Sequence, residues 1–344
     1  MWLRSRWLYL ALLAVILGSY ARLMTLPGRS LRAEQTTRID RRPMEDPVQE
    51  LTLDRAHLAA FLQQRPRAVL MLLGCMVIGG SLGVMGLVLS FRAAMSGRLP
   101  RLLRQRSRLP SLWSMADVMR IILLLLTVVA MWPLVRIAAE AWGVRMASDA
   151  HAWSVVSMLI VDVFAILTIA AFASSLPKSL RGSFGFSARR AARGIPRSLV
   201  GYAGIFPWIF GLLWAIATVC QWFGIRPPVE PVQELLFFEP RAWVVGLTVF
   251  LACVVGPIAE ELVFRGVIFS AVRKRTGRWI AMLVSGALFS GLHTNAIGFV
   301  PILLLGVFLA FLYEFTGTLL APMAVHILHN TFLIGIALAA KQLL

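Results

Sequence analysis

Acid is scarce in this chain. Its 344 residues hold 16 Asp and Glu against 34 Lys and Arg, and charged residues make up only 15% of the whole. So little charge, beside 59% hydrophobic residues and a mean hydropathy of +0.78, excludes a soluble globule of this length. Lysine is rarer still, with 3 residues against 31 arginines, a bias that reflects a GC-rich coding sequence more than a function. Cysteine is nearly absent too. Cys75, Cys220 and Cys253 all lie in apolar runs, and no pair has redox or metal-ligand spacing, which excludes a disulfide framework. No internal repeat is detectable, which argues against the paired halves common among secondary transporters.

What is abundant is apolar sequence in runs long enough to cross a bilayer, which takes about 20 residues of helix. Such runs fall at 7–24, 68–91, 118–135, 154–176, 199–223, 244–272, 279–294, 297–315 and 319–340. The connections `TNAIGFVP` and `EFTGTLLAP` between the last three are very short. The expectation is an all-α polytopic membrane protein of about eight to nine transmembrane helices, with its active site inside the C-terminal helix bundle.

The net charge of +18 raises the question of nucleic acid, but its placement answers it. Segments 92–108 and 178–197 carry basic residues and no acid, and `RKRTGR` (273–278) is a third such cluster. Two expected spans separate each neighbouring pair, so all three can lie on one side, which the positive-inside rule makes cytoplasmic. No nucleic-acid partner is expected; the lipid bilayer is. The N-terminus is then cytoplasmic, and the arginine-rich composition suits a bacterial inner membrane. Residues 1–22 fit a signal peptide or an uncleaved first anchor, and the anchor is favoured.

Three regions follow. Residues 1–225 read as an N-terminal membrane region of about five spans, with an external loop at 26–67. `GGSLGVMG` (79–86) offers it small residues for close helix packing. Asp117, Arg120 and Arg136 sit near span ends and read as structural, whereas Asp162 lies within the fourth span with no partner nearby in sequence. Residues 226–243 form a proline-rich external linker with a short interfacial stretch. Residues 244–340 hold the polar chemistry.

`GPIAEELVFRGVIF` (256–269) places three charges inside an apolar span, each costing roughly 2.5–3.5 kcal/mol even on the mildest scale. Glu261 and Arg265 are four apart and share a face of an α-helix, which suits an ion pair. Glu260 points about 100° away and stays unexplained by that pair. `LFSGLHTN` (288–295) sets Phe289 and His293 on one face of the next helix, and `APMAVHILHNTF` (321–332) does the same for His326 and Asn330, with His329 beside them. At 1.5 Å of rise per residue, Glu260 lies roughly 18 Å from the cytoplasmic end of its helix, and His293, His326 and Asn330 fall in the same band of depth. Polar groups at matching depth on three helices can share one water-containing cavity.

`EELVFR`, `FSGLH` and `HILHN` match, in order and spacing, the motifs of the CAAX protease and bacteriocin-processing (CPBP) family of intramembrane proteases, and the chain resembles that family over about 250–335. The resemblance implies hydrolysis of a peptide bond within the membrane. Glu260 would be the general base that activates water, and His293 would hold the same water. His326 and Asn330 would donate to the oxyanion, and Glu261, paired to Arg265, would hold the helix face. Phe289 is a supporting residue of the second motif. No cofactor is required by that scheme. Glu260, Glu261, His293 and His326 are also a possible oxygen–nitrogen ligand set for zinc, and the residues leave the two mechanisms open.

Two other classes compete with a protease. A proton-coupled transporter also uses intramembrane Glu and His, but lacks support from repeats or matching interrupted helices. A non-catalytic, immunity-type peptide-binding protein has no need of all four of Glu260, His293, His326 and Asn330. The expected partner is a protein or peptide substrate at the membrane, which the external segment 26–67 could help to capture.

Overall fold

The computed structural model of the chain describes residues 5–25, 66–96, 109, 112–176, 180–225, 231–293 and 297–342, and every regular element among them is helical. The external loop expected at 26–67 falls outside the described residues except for its last two, as do residues 97–108 of the first basic segment and 294–296. The helices are α1 (Arg6–Thr25), α2 (Pro66–Met95), α3 (Met115–Ala141), α4 (Ala150–Ser174), α5 (Leu180–Phe184), α6 (Ala188–Trp222) and α7 (Pro231–Phe238). Then come α8 (Ala242–Thr276), α9 (Arg278–Leu292), α10 (Phe299–Thr316) and α11 (Leu320–Lys341).

Seven of these are long and apolar enough to cross a membrane: α2, α3, α4, α6, α8, α10 and α11. Among the described residues that measure supports seven of the eight to nine spans expected from the sequence. The apolar stretch Trp7–Gly18 of α1 and all of α9 are shorter. With 15 residues, α9 reaches about 22 Å against the roughly 30 Å of a hydrocarbon core. Its start is fixed by Gly277, whose φ of +82° lets the chain reverse sharply after α8.

A correction concerns 178–197, expected as a basic loop. Helix α6 begins at Ala188, so Arg189, Arg190, Arg193 and Arg197 ride on its first turns. Arginine is a good helix former, and apolarity alone underestimates where such a helix starts. The linker differs as well. Residues 231–238 form α7, and its Leu235 and Leu236 are buried in the protein rather than left at a lipid interface.

Between membrane helices, close packing rather than water exclusion provides the attraction, and small residues permit it. A Cβ on Gly306 of α10 would come within 2.9 Å of Gly286 Cα on α9, so the two backbones touch there. Gly86, from the small-residue run in α2, lies so tightly against Ala203 of α6 that no side chain fits. Around α8 one apolar cluster joins Leu262, Phe264, Val267 and Phe269 to Phe172 of α4, Met282 and Phe289 of α9, Tyr313 of α10 and Met323 of α11. A second cluster packs Tyr202, Phe206 and Ile209 of α6 against Leu305 and Leu309 of α10 and Val325 of α11. Trp142 and Trp222, at the ends of α3 and α6, project outward as membrane-interface anchors do.

At one end of the bundle a charged clasp ties four helices together. Asp149 caps α4 by accepting from the Ala152 N–H at 2.9 Å, and it also accepts from the Arg241 guanidinium. Arg241 donates to Glu239 through Nε at 2.5 Å and Nη2 at 2.9 Å. His151 Nδ1 lies 2.7 Å from the same buried carboxylate, and Lys341 of α11 reaches the Glu239 carbonyl at 3.2 Å. The hydrogen bonds from Arg241 hold the Glu239 carboxyl down at about 2 and keep that of Asp149 below its ordinary range.

Candidate active site

Helix α8 is not uniformly α-helical. Two π-helical stretches, Leu251–Val255 and Glu261–Phe269, flank the short α-segment Gly256–Glu260. Proline accounts for the first. The Gly256 N–H bonds to Leu251 O, five residues back, and Pro257 has no N–H to offer, so the Ala252 carbonyl loses its helical donor. Asn330 Nδ2 supplies the missing bond from α11, at 2.8 Å. The second stretch begins directly after Glu260, and π-bulges of this kind recur at functional sites.

The two glutamates part company there. Glu261 is fully buried, while Glu260 keeps a third of its side chain exposed. Arg265, itself fully buried, donates to Glu261 Oε1 at 2.7 Å and to the Gly306 carbonyl at 3.1 Å. Its guanidinium also stacks 4.4 Å from the centre of the Phe289 ring, a favourable desolvated cation–π contact. Glu261 Oε2 and Arg265 Nε find no hydrogen-bond partner among the described residues.

His326 connects the two acids. Its Nδ1 lies 3.0 Å from Glu261 Oε1 and its Nε2 lies 3.6 Å from Glu260 Oε2. A carboxylate accepts, so Nδ1 carries the proton and Nε2 faces Glu260. His293, at the C-terminal end of α9, places Nδ1 2.9 Å from the Phe289 carbonyl. That carbonyl can only accept, so Nδ1–H donates and Nε2 presents a lone pair. The Phe289 ring is wedged among Arg265, His293 and His326, with ring centres 4.8 and 5.5 Å from the two histidines.

These groups border one cavity of about 1050 Å³. Glu260, Phe289, His293, His326 and Asn330 all line it; Glu261 and Arg265 stand behind its wall. The sequence-predicted site residues are therefore brought together, in two layers. Three residues outside the predicted set also belong here, two of them lining the cavity. Asp162 of α4 and His329 of α11 are both on the wall, and Tyr202 of α6 sets the second of them, its hydroxyl 2.8 Å from His329 Nδ1. The position of His329 beside Asn330 in the third motif is a signal for it. Tyr202, 127 residues away in sequence, has none.

The arrangement does not fit a zinc centre. Among the described residues no three His, Cys, Asp or Glu side chains gather closely enough to hold a metal ion. Glu261 is also bound to a buried arginine, whose charge opposes that of a cation placed beside it.

Residues 242–332 match the family described as type II CAAX prenyl endopeptidase Rce1-like. The chain is 28% identical over 183 residues to the putative membrane peptidase YdiL of Bacillus subtilis (strain 168), covering 53% of this chain and 70% of that protein. It is 30% identical over 147 residues to the membrane-embedded CAAX protease MroQ of Staphylococcus aureus (strain USA300), covering 41% of this chain and 57% of that protein. No solved structure matches. Over residues 242–332 the chain is thus similar to the Rce1-like, CAAX protease-type family of membrane peptidases.

Proposed function

We propose that the chain is an intramembrane endopeptidase that cleaves a membrane-associated protein or peptide with water activated by Glu260. The observation that carries this reading is the bridge by His326 between buried Glu261 and cavity-lining Glu260. A water in the cavity can give one hydrogen to Glu260 and the other to His293 Nε2, leaving its oxygen free to attack a carbonyl carbon. Glu260 takes the proton as the water attacks. The proton then passes to His326 Nε2, and Glu261 stabilises the imidazolium. From there His326, with the second N–H of the Asn330 amide, donates to the oxyanion and finally returns the proton to the leaving amine.

In this reading the catalytic unit is 244–340, and α1 and α9 complete nine passes with the N-terminus in the cytoplasm of a bacterial cell. Single cysteines test that orientation in a background without Cys75, Cys220 and Cys253. At Trp142 the cysteine is expected to react with an impermeant thiol reagent in intact cells, and at Arg275 to stay shielded. The reverse pattern contradicts the orientation. The proteolytic claim is tested by quantitative proteomics of membrane and secreted fractions from cells carrying wild type, Glu260→Gln or His293→Ala. Both variants, expressed at wild-type level, are expected to accumulate the same uncleaved precursor; an unchanged precursor profile in cells expressing that substrate counts against the reading.

A further inference from the structure

Asp162 stands midway along α4 on the wall of the same cavity, and with Glu260 it makes up the acid of that lining. A Cβ placed on Gly256, one turn before Glu260 on α8, would lie 3.7 Å from Asp162 Oδ2. The side chain thus reaches the catalytic helix where a glycine leaves it room. The two carboxylates are near enough for their charges to interact. No described residue donates a hydrogen bond to Asp162.

The cations near the cavity have other partners. Arg136, the arginine on the wall, gives its Nε to Glu140 at 2.9 Å. Arg265 is turned away towards Glu261 and Gly306. The three lining histidines place their Nδ1 atoms against Phe289, Glu261 and Tyr202. The wall that Asp162 shares with them is largely apolar, with Met158, Val161, Leu251 and Leu333 among its lining residues. A carboxylate at such depth is costly unless something pairs with it, and intramembrane acids of this kind mark sites of use. With Arg136 already paired to Glu140, the two acids leave the cavity electronegative, so the complementary charge has to come from what enters it.

We propose that Asp162 determines specificity by receiving a lysine or arginine side chain of an otherwise apolar substrate segment, beside the bond that the Glu260-activated water attacks. This deepens the proteolytic reading and rests on it. Arg265 cannot serve instead, because it stands behind the wall.

The test uses the full-length Glu260→Gln protein in detergent, so that nothing is cleaved, and fluorescent apolar peptides carrying one lysine or one norleucine at each position in turn. Anisotropy is expected to show, at one position, lysine binding about tenfold tighter than norleucine, the scale of one charge-assisted hydrogen bond. Adding Asp162→Asn should erase that preference while leaving the norleucine peptide bound as before, which also shows that the fold is intact. Lysine that binds no better than norleucine at every position overturns the proposal, as does a preference that survives Asp162→Asn. Because no turnover is measured, failure here leaves the proteolytic reading standing; that reading fails separately, if wild type does not process the precursor.

Discussion

Glu261 and Arg265 illustrate how an ion pair can be structural in energy and functional in consequence. Both are fully buried, so each is tolerable only while the other is present. Replacing Arg265 by Leu strands a buried carboxylate, and the expected cost is about 3–5 kcal/mol, seen as a large fall in melting temperature in detergent. Changing both residues to apolar ones, Glu261→Leu with Arg265→Met, is expected to restore much of that stability. It should not restore cleavage, because His326 Nδ1 then loses its acceptor. Recovery of cleavage together with stability would show that Glu261 does not orient His326. Of this layer, the Glu261–Arg265 pair was legible from its four-residue spacing. The bridge by His326 was not, because periodicity within one helix does not tell which side chain of another helix meets it. Nor could it show that Asn330 would be claimed by the Ala252 carbonyl, a need created by Pro257 five residues further on.

Among the elements, α8 departs furthest from its sequence reading. The sequence reads a single α-helix over 244–272, whereas π-helical stretches flank the short α-segment that ends at Glu260, and one partner, His326, lies near both Glu260 and Glu261. Helix α7 departs too, since apolar residues of the linker pack inside and Pro231, Val232 and Leu236 close one side of the cavity. The clasp around Glu239 holds that end. Its carboxyl sits at about 2 in the folded protein, below the ordinary carboxylate value of about 4.3. A lowered folded-state value means the stabilisation is complete above the ordinary value and fades as pH falls through the folded one. Melting temperature is therefore expected to fall between about pH 4.3 and 2 in wild type. Glu239→Gln should melt lower at neutral pH and show a shallower acid decline; an identical decline would assign the acid sensitivity elsewhere.

At the scale of the molecule, composition alone made the chain a polytopic helical membrane protein, and the three motifs pointed to residues that meet at one cavity. What they could not show is how much of that site comes from outside the matched region, which begins at residue 242. Trp132 of α3, Trp153 and Asp162 of α4 and Phe210 of α6 line the same cavity as Glu260. Tyr202 of α6 fixes His329. None of these pairs is close in sequence, so no local pattern announces them. The reading of this assembly as a peptidase turns on one carboxylate. The most direct measurement is the rate at which the purified Glu260→Gln protein cleaves the precursor, beside wild type in the same detergent and with melting temperature recorded for both. The account predicts a loss of about 100-fold or more at unchanged stability, the scale expected for a general base. Cleavage by a folded Glu260→Gln protein at the wild-type rate would contradict it.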